Sequence, residues 1–284
     1  MEEAGKPNLV DYFPVLRKMD PQGIRHRMAI HFGKLIGLFD HMISQRLESR
    51  RLHGCLASND VLDTLLNITE ENGDQIDRNH IETMLLDLYI AGNDTTSNTL
   101  EWAMAEVLQN PETLKRARAE LDQIIGKGKP VEESDIARLP YLQAIVKETF
   151  RLHPPVPFLI PRKVEADVEV CGFTVPKGAQ VLVNAWAIGR DPSTWANPNS
   201  FVPERFLGSE VDVRGHDFEL IPFGAGRRIC PGLPLAIRMV HLMLGSLINS
   251  FDWKLEDAGD INMEEKFGIT LQKSHPLRAI PILV

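Results

Sequence analysis

The sequence predicts a mainly α-helical fold with small β-sheets. Helical periodicity of apolar residues dominates the first half of the chain, whereas strand-like runs are short and begin only after Pro154. The chain has 284 residues, of which 43% are hydrophobic and 25% charged, and this composition is typical of a globular protein with a large core. We therefore expect a single domain over residues 1–284.

Charge and cysteine content exclude several classes of protein. The formal net charge is -8, so nucleic acid is not expected as a partner, because such binding rests on clustered positive charge. Three cysteines do not make a disulfide framework. No apolar run is expected to cross a bilayer, and the start Met1-Glu2-Glu3 does not resemble a signal peptide.

A loop-like stretch followed by helices is predicted for the first half. Residues 9–27 contain two prolines and are expected to be irregular. A helix is predicted over residues 25–51. Its apolar face is expected to consist of Ile30, Leu35, Leu38, Phe39, Ile43 and Leu47. Further helices are predicted over residues 61–68, 81–108 and 111–126, and the last of these is stopped by glycines.

The second half is predicted to alternate helices with short strands. Residues 140–153 predict a helix that ends at Pro154 and Pro155. Residues 168–175 alternate as two strands around a tight turn, and residues 179–184 predict one more strand. A last helix is predicted over residues 233–250.

A polar run interrupts the periodicity of the predicted helix over residues 81–108. It reads Ala91-Gly-Asn-Asp-Thr-Thr-Ser97, and these residue types are poor in a helix interior. The run could be a loop before a second helix that is capped by Asn98 and Glu101, or a functional interruption of one helix. The residues alone leave both alternatives open.

The most informative segment of the sequence is a glycine-rich loop that places one cysteine just before a predicted helix. It reads Phe223-Gly-Ala-Gly-Arg-Arg-Ile-Cys-Pro-Gly232. A helix start and two neighbouring arginines both favour a thiolate, and the glycines let the backbone approach a bulky ligand. The alternative is a buried, inert cysteine. A zinc site is excluded, because the three cysteines lie far apart and no close Cys/His pair exists.

This loop resembles the cysteine loop of the cytochrome P-450 superfamily, Phe-x-x-Gly-x-Arg-x-Cys-x-Gly. The fixed positions are filled by Phe223, Gly226, Arg228, Cys230 and Gly232. The resemblance implies heme b (iron protoporphyrin IX) bound through the Cys230 thiolate, which supplies electron density that favours O–O cleavage. It also implies that Arg162 and Arg228 pair with the heme propionates, since a forked guanidinium suits a carboxylate.

Residues 91–96 resemble the oxygen-activating helix of the same superfamily, Ala/Gly-Gly-x-Asp/Glu-Thr-Thr/Ser. The resemblance implies that Gly92 leaves space for O₂ and substrate. It further implies that Asp94 and Thr95 relay protons with the help of water, because O–O cleavage needs protons in a controlled order.

Two more motifs of the superfamily occur in the expected order. Glu148 and Arg151 are spaced i, i+3, and Pro203-Glu-Arg-Phe206 follows in a proline-rich meander. The resemblance implies that Glu148, Arg151 and Arg205 form a buried three-charge lock, which holds the meander and the cysteine loop in register. We interpret this lock as structural rather than catalytic.

The substrate pocket is inferred from the resemblance alone. Its expected lining is Leu88, Ala91, Gly92, Val156, Phe158, Ile160 and Ile269. These stretches are apolar and suit a hydrophobic small molecule. The segments 101–106, 152–157 and 264–268 are most similar to plant enzymes that hydroxylate monoterpenols such as geraniol. Flavonoid hydroxylases and diterpene oxidases are similar to much of the same sequence.

The resemblance covers the whole chain but only the C-terminal part of the family fold. Residues 25–110 would include the distal helix. Residues 140–284 would carry the Glu-x-x-Arg helix, the meander, the cysteine loop, the proximal helix and the C-terminal strands. The sequence is therefore expected to start in the middle of the fold and to lack the membrane anchor that holds full-length members on the cytosolic face of the endoplasmic reticulum.

The resemblance implies a monooxygenase that uses O₂ and electrons from NADPH, delivered by NADPH-cytochrome P-450 reductase. One alternative is a truncated remnant without catalytic activity. Another is a heme-thiolate isomerase or dehydratase, which would need no reductase, but the acid-threonine pair Asp94-Thr95 argues against it.

Overall fold

Helices carry most of the chain and the strands are short, as the sequence predicts. The computed structural model describes residues 5–53, 60–71, 76–256 and 261–283. The chain divides into two units, Met1–Asn93 and Asp94–Val284, which are described separately below.

The α-helices and strands of the described residues have the following bounds. The helices are α1 (Leu9–Tyr12), α2 (Ile24–His53), α3 (Val61–Glu71), α4 (Arg78–Gln109), α5 (Pro111–Ile124), α6 (Pro140–Leu152), α7 (Ala185–Ile188) and α8 (Leu233–Ser250). Short 3-10 turns cover Pro14–Lys18, Glu133–Arg138, Pro203–Phe206 and Gly226–Arg228. The strands pair in antiparallel fashion: β1 (Arg162–Lys163) with β4 (Gln180–Val181), β2 (Val168–Val170) with β3 (Phe173–Val175), β5 (Phe251–Leu255) with β8 (Ala279–Leu283), and β6 (Glu265–Lys266) with β7 (Gln272–Lys273).

The first unit contains α1, α2, α3 and the beginning of α4. Its small core consists of Ile43, Leu62, Leu65, Leu66 and Ile81. The predicted apolar face of α2 is only partly buried: Phe39 and Ile43 are buried and Leu35 is half-buried, whereas Ile30, Leu38 and Leu47 are exposed. In the described part of this unit, Ile43 of α2 packs in a core with residues of α3 and α4.

Residues 9–27, predicted to be irregular, contain two short elements. The helix α1 begins after Asn8, whose side chain accepts a hydrogen bond from the amide of Val10 at 3.1 Å. A 3-10 turn then starts at Pro14, where a missing amide donor costs nothing in a first turn. Local capping therefore produces a short helix and a 3-10 turn in a segment that was expected to be irregular because of its prolines.

The second unit has its core where the end of α4, α5, α6 and α8 pack together. Leu121, Ile145 and Leu244 are completely buried there. Among the described residues, α8 is the one helix that is long and apolar enough to cross a membrane by length and composition. This overturns the expectation that no run meets that test. The buried residues of α8, among them Leu244 and Ile248, belong to the same core cluster.

Turn chemistry explains where several elements end. After α5, Gly126 and Gly128 adopt φ of +93° and +72°, as expected for glycine helix stops. The hairpin β2–β3 turns at Cys171 and Gly172. The strand predicted over residues 179–184 covers only Gln180–Val181, because Asn184 caps α7 by accepting from the amide of Ala187 at 3.0 Å.

Candidate active site

The cysteine loop is closed by hydrogen bonds between its own backbone groups. The amide of Cys230 donates to the carbonyl of Phe223 at 3.0 Å, and the amide of Ile229 donates to the carbonyl of Gly226 at 3.1 Å. Gly224 and Gly226 have φ of +72° and +67°, a conformation that costs an L-residue with a β-carbon roughly 1–2 kcal/mol. The path of the loop therefore depends on glycine at both positions.

Cys230 lies at the amino end of α8. Gly232 is the cap residue, and the amide of Leu233 donates to the carbonyl of Cys230 at 3.3 Å. The thiol is free and half-buried. The first amides of a helix carry partial positive charge, and Cys230 lies next to those of α8.

The available ligands fit a metal that brings most of its own donors. The described residues contain no group of three or more His, Cys, Asp and Glu side chains that could hold a metal ion, so Cys230 would be a single ligand. Heme would need only such a ligand from the protein, because the porphyrin supplies most of the donors to its iron. Arg162 in β1 and Arg228 in the loop are exposed, and neither pairs with an acidic side chain within the described ranges. Their donors are available to carboxylates, as the propionates of heme require.

The polar run over residues 91–97 is helical throughout, because α4 continues without a break from Arg78 to Gln109. The single-helix alternative is therefore confirmed. The alternative of a loop capped by Asn98 and Glu101 is wrong, and Glu101 instead accepts from the amide of Leu277 at 2.8 Å. Packing of the turn that follows the run, where Leu100 and Trp102 are buried, outweighs its poor helix propensity.

The acid-threonine pair occupies the first turn of α4 that belongs to the second unit. Asp94 and Thr95 are half-buried. Oδ2 of Asp94 accepts from the hydroxyl of Thr270 at 3.2 Å. The carbonyl of Thr95 accepts from the hydroxyl of Thr99 at 2.9 Å. The carboxylate of Asp94 thus has a partner on the C-terminal hairpin, which the motif within α4 did not indicate.

Glu148 joins two arginines in the interior of the second unit. Glu148 and Arg151 are fully buried. Their two contacts are parallel, with Nε to Oε2 at 2.7 Å and Nη2 to Oε1 at 2.8 Å. Nε of Arg205 also donates to Oε1 of Glu148, at 3.0 Å. The structure therefore brings these three predicted residues together around one carboxylate.

The guanidiniums of Arg151 and Arg205 use their remaining donors on main-chain carbonyls of residues 189–200. We include this segment, which precedes Pro203–Phe206, in the meander. Arg151 donates to the carbonyls of Gly189, Pro198 and Ser200 at 2.5, 2.6 and 3.0 Å. A β-carbon at position 189 would lie 2.2 Å from the carbonyl oxygen of Arg151, so only glycine allows this approach. The meander is thus held to α6 through its main chain.

A second buried ionic cluster surrounds His153, directly after α6. The ring is 5% exposed and stacks on Trp102 at 3.9 Å with nearly parallel planes. Its Nε2 lies 2.7 Å from Oε1 of Glu106, and its Nδ1 lies 3.3 Å from Oε1 of Glu265. Each ring nitrogen of His153 therefore faces a carboxylate oxygen, one from α4 and one from β6.

Glu265 is the branching point of this cluster. Its carboxylate also accepts from Arg190 at 2.9 Å and from the indole nitrogen of Trp186 at 2.9 Å. Burial alone would raise its pKa. The hydrogen bond from His153 and the positive charges of Arg190 and His153 outweigh burial, so the pKa of Glu265 lies below its usual value. No local spacing in the sequence indicates this cluster, since Glu106 and Glu265 lie 47 and 112 positions away from His153.

The residues predicted to line a substrate pocket fall in both units. Leu88, Ala91 and Gly92 belong to the first unit and are exposed. The others lie in the second unit, where Val156, Phe158 and Ile160 follow α6 and Ile269 lies in the β6–β7 hairpin. Phe158 and Ile160 are 39% and 69% exposed, so this segment offers apolar surface to a ligand.

Comparison with protein families gives a match over nearly the whole chain. The model of the cytochrome P-450 family matches residues 1–278. Among solved structures, a zebra fish cytochrome P-450 with progesterone has a TM-score of 0.76 at 32% identity, over 92% of this chain and 59% of that one.

Curated plant proteins are more similar in sequence. Geraniol 8-hydroxylase of Catharanthus roseus is 66% identical over 284 residues, and geraniol 8-hydroxylase of Swertia mussotii is 66% identical over 283 residues. Each alignment covers 99% of this chain. The chain spans 57% of the length of both relatives.

Proposed function

Since this chain belongs to the cytochrome P-450 family, we propose that it is the part of a heme-thiolate monooxygenase that carries the cysteine ligand and the oxygen-activating helix. The single observation that carries the proposal is the position of Cys230 at the end of a glycine-shaped loop and at the amino end of α8. When bound, heme supplies the capacity to activate O₂. The reaction inserts one oxygen atom into a C–H bond and releases the other as water, which consumes two electrons and two protons.

The residues of this chain have separate tasks in that reaction. Cys230 holds the iron as a thiolate, and Arg162 and Arg228 pair with the propionates. Asp94 and Thr95 pass protons from solvent into the site. Glu148, Arg151 and Arg205 keep the meander fixed, so their effect on the reaction is indirect.

The substrate we propose is a small hydrophobic plant metabolite, and specifically a monoterpenol such as geraniol. Two of the most similar relatives carry the name geraniol 8-hydroxylase, and the predicted lining of the pocket is apolar. Electrons come from NADPH through NADPH-cytochrome P-450 reductase. The protein acts at the membrane surface, on the cytosolic face of the endoplasmic reticulum.

Spectroscopy of the ferrous carbon monoxide complex tests the proposal directly. For this test the chain is joined to the N-terminal part of the Catharanthus roseus relative, to give a protein of that relative's full length. We call this protein, after it has been loaded with heme, the extended holoprotein. We expect a thiolate-type spectrum together with hydroxylation of geraniol.

Substitution of the ligand identifies the cysteine. Cys230→His in the extended holoprotein is expected to abolish both the thiolate-type spectrum and turnover. Cys171→Ser is the matched control, since Cys171 is exposed in the β2–β3 turn and should leave both unchanged. Survival of the thiolate-type spectrum in Cys230→His would show that the assignment is wrong.

A further inference from the structure

Thr270 is a buried hydroxyl that contacts the proposed proton-relay acid. Thr270 is 3% exposed. Its Oγ1 donates to Oδ2 of Asp94 at 3.2 Å and accepts from Nε2 of Gln272 at 3.3 Å. The hydroxyl of Thr270 has a single proton to donate. Because Gln272 donates to this hydroxyl, the proton remains for the carboxylate of Asp94. Hydrogen bonds of catalytic groups are often long in the free protein and tighten in the complex.

The backbone next to Thr270 is held from two sides. The amide of Leu271 donates to the carbonyl of Pro155 at 2.9 Å, and its carbonyl accepts from the indole nitrogen of Trp102 at 3.2 Å. Trp102 and Leu271 are both completely or almost completely buried. Thr270 therefore cannot move away from Asp94 without breaking buried hydrogen bonds.

The hairpin that carries Thr270 is itself fixed by the cluster around Glu265. Strand β6 contributes Glu265, which binds His153, Arg190 and Trp186. Strand β7 contributes Lys273, whose Nζ donates to the carbonyl of Asn262 at 2.5 Å. The hydroxyl of Thr270 is thus presented to α4 from a rigid support, which a positioning residue requires.

We propose that Thr270 is a positioning residue for Asp94. By holding Oδ2 toward the hairpin, it leaves Oδ1 for proton exchange, and Oδ1 has no hydrogen-bond partner among the residues that the structure describes. The inference rests on the proposed function, in which Asp94 relays protons. It extends the relay from one helix to the C-terminal hairpin.

The test uses Thr270→Val in the extended holoprotein, because valine keeps the branched shape and removes only the hydroxyl. At saturating geraniol we expect the ratio of peroxide to hydroxylated product to rise about three- to tenfold, the effect of one lost hydrogen bond on a rate. The KM for geraniol should change less than about twofold, since the volume of the side chain is preserved. Thr270→Ser should restore the original ratio.

Thr174→Val is the matched control. Thr174 is exposed in β3, and its substitution should leave the peroxide ratio unchanged. An unchanged peroxide ratio in Thr270→Val would overturn the inference, and so would a failure of Thr270→Ser to restore it. If the unsubstituted extended holoprotein lacks a thiolate-type spectrum, the proposed function fails first, so the two failures are distinguishable.

A second readout does not depend on turnover. The urea unfolding constant is measured for Thr270→Val, Asp94→Asn and the double variant of the extended holoprotein. If the side chains interact, the unfolding constant of the double variant should differ from the product of the two single effects by about threefold or more. Independent effects would contradict the contact on which the proposal depends.

Discussion

Glu148 and Arg205, 57 positions apart, meet at 3.0 Å in the interior of the second unit. The same carboxylate oxygen also accepts from Arg151 at 2.8 Å and from the amide of Val202 at 2.8 Å. One buried oxygen therefore joins a helix to a distant turn. Its removal leaves charged donors without an acceptor, and this is the costliest kind of polar defect.

We expect Glu148→Ala to yield little folded holoprotein. Leaving two guanidiniums without their carboxylate should lower the free energy of unfolding by about 3–5 kcal/mol, a large part of the stability of a typical domain. The measurement is the yield of heme-bound extended holoprotein together with urea unfolding. Glu112→Ala is the control, because Glu112 forms only a surface pair with Lys115 and its loss should cost under about 1 kcal/mol. Equal yields of the two variants would contradict the lock.

Thr95→Ala should separate chemistry from scaffold. We expect normal heme content and a normal thiolate-type spectrum, but a larger share of electrons appearing as peroxide, since the substitution removes the proposed proton-relay hydroxyl and leaves the proposed iron ligand in place. Oxidation of NADPH, peroxide and product are measured together. Ser97→Ala, an exposed position in the same helix, should behave like the unsubstituted protein. A loss of heme in Thr95→Ala would assign this threonine to the scaffold instead.

The cluster around His153 predicts a contribution of Glu265 to stability that depends on pH. Its folded-state pKa lies below the ordinary value of 4.5, so the ionised carboxylate stabilises the fold at neutral pH. This contribution should disappear as the pH falls from about 4.5 through the lowered folded-state pKa. Urea unfolding of the extended holoprotein at a series of pH values measures it.

Glu265→Gln should flatten this acid dependence, because the glutamine does not ionise. Glu264→Gln is the matched control, since Glu264 is the exposed neighbour of Glu265 in the sequence. The same loss of stability in acid for Glu265→Gln and the unsubstituted protein would contradict the prediction.

A polypeptide of only these 284 residues should not hydroxylate geraniol with reductase. Large apolar side chains, such as Tyr12, Leu88 and Tyr89, are exposed in the first unit. Apolar surface left in water forgoes about 25 cal/mol per Å², so we expect weak heme uptake, binding of hydrophobic dyes and aggregation. Stoichiometric heme together with multiple turnovers would show that the prediction is wrong.

Local motifs account for what could be predicted from the sequence. The bounds of α8 and the hairpin β2–β3 follow from periodicity and turn residues within a few positions. The three-charge lock was accessible because family motifs marked both of its halves. His153 was not, because its partners come from α4 and β6 and no local spacing joins them. The same holds for Thr270, which approaches Asp94 from 176 positions away.

The limits of periodicity are clearest in α2. Six apolar residues at helical spacing predict a buried stripe, but burial depends on a partner that periodicity does not identify. Phe39 and Ile43 have such partners, whereas Ile30 and Leu47 face solvent in the described unit. The poor helix formers after Gly92 show the opposite case, since the buried turn that follows them, with Leu100 and Trp102, keeps the chain helical.

The contacts of Arg151 have a consequence for recombination between relatives. This arginine donates to the main-chain oxygens of residues 189, 198 and 200. At positions 198 and 200 these contacts do not involve the side chains. Residues 196–200 can therefore be exchanged for the corresponding segment of another family member if position 197, where Asn197 has φ of +48°, keeps asparagine or glycine. Position 189 is different, because any side chain there collides with the carbonyl of Arg151. A crossover library should therefore tolerate different side chains at positions 198 and 200, but only glycine at position 189.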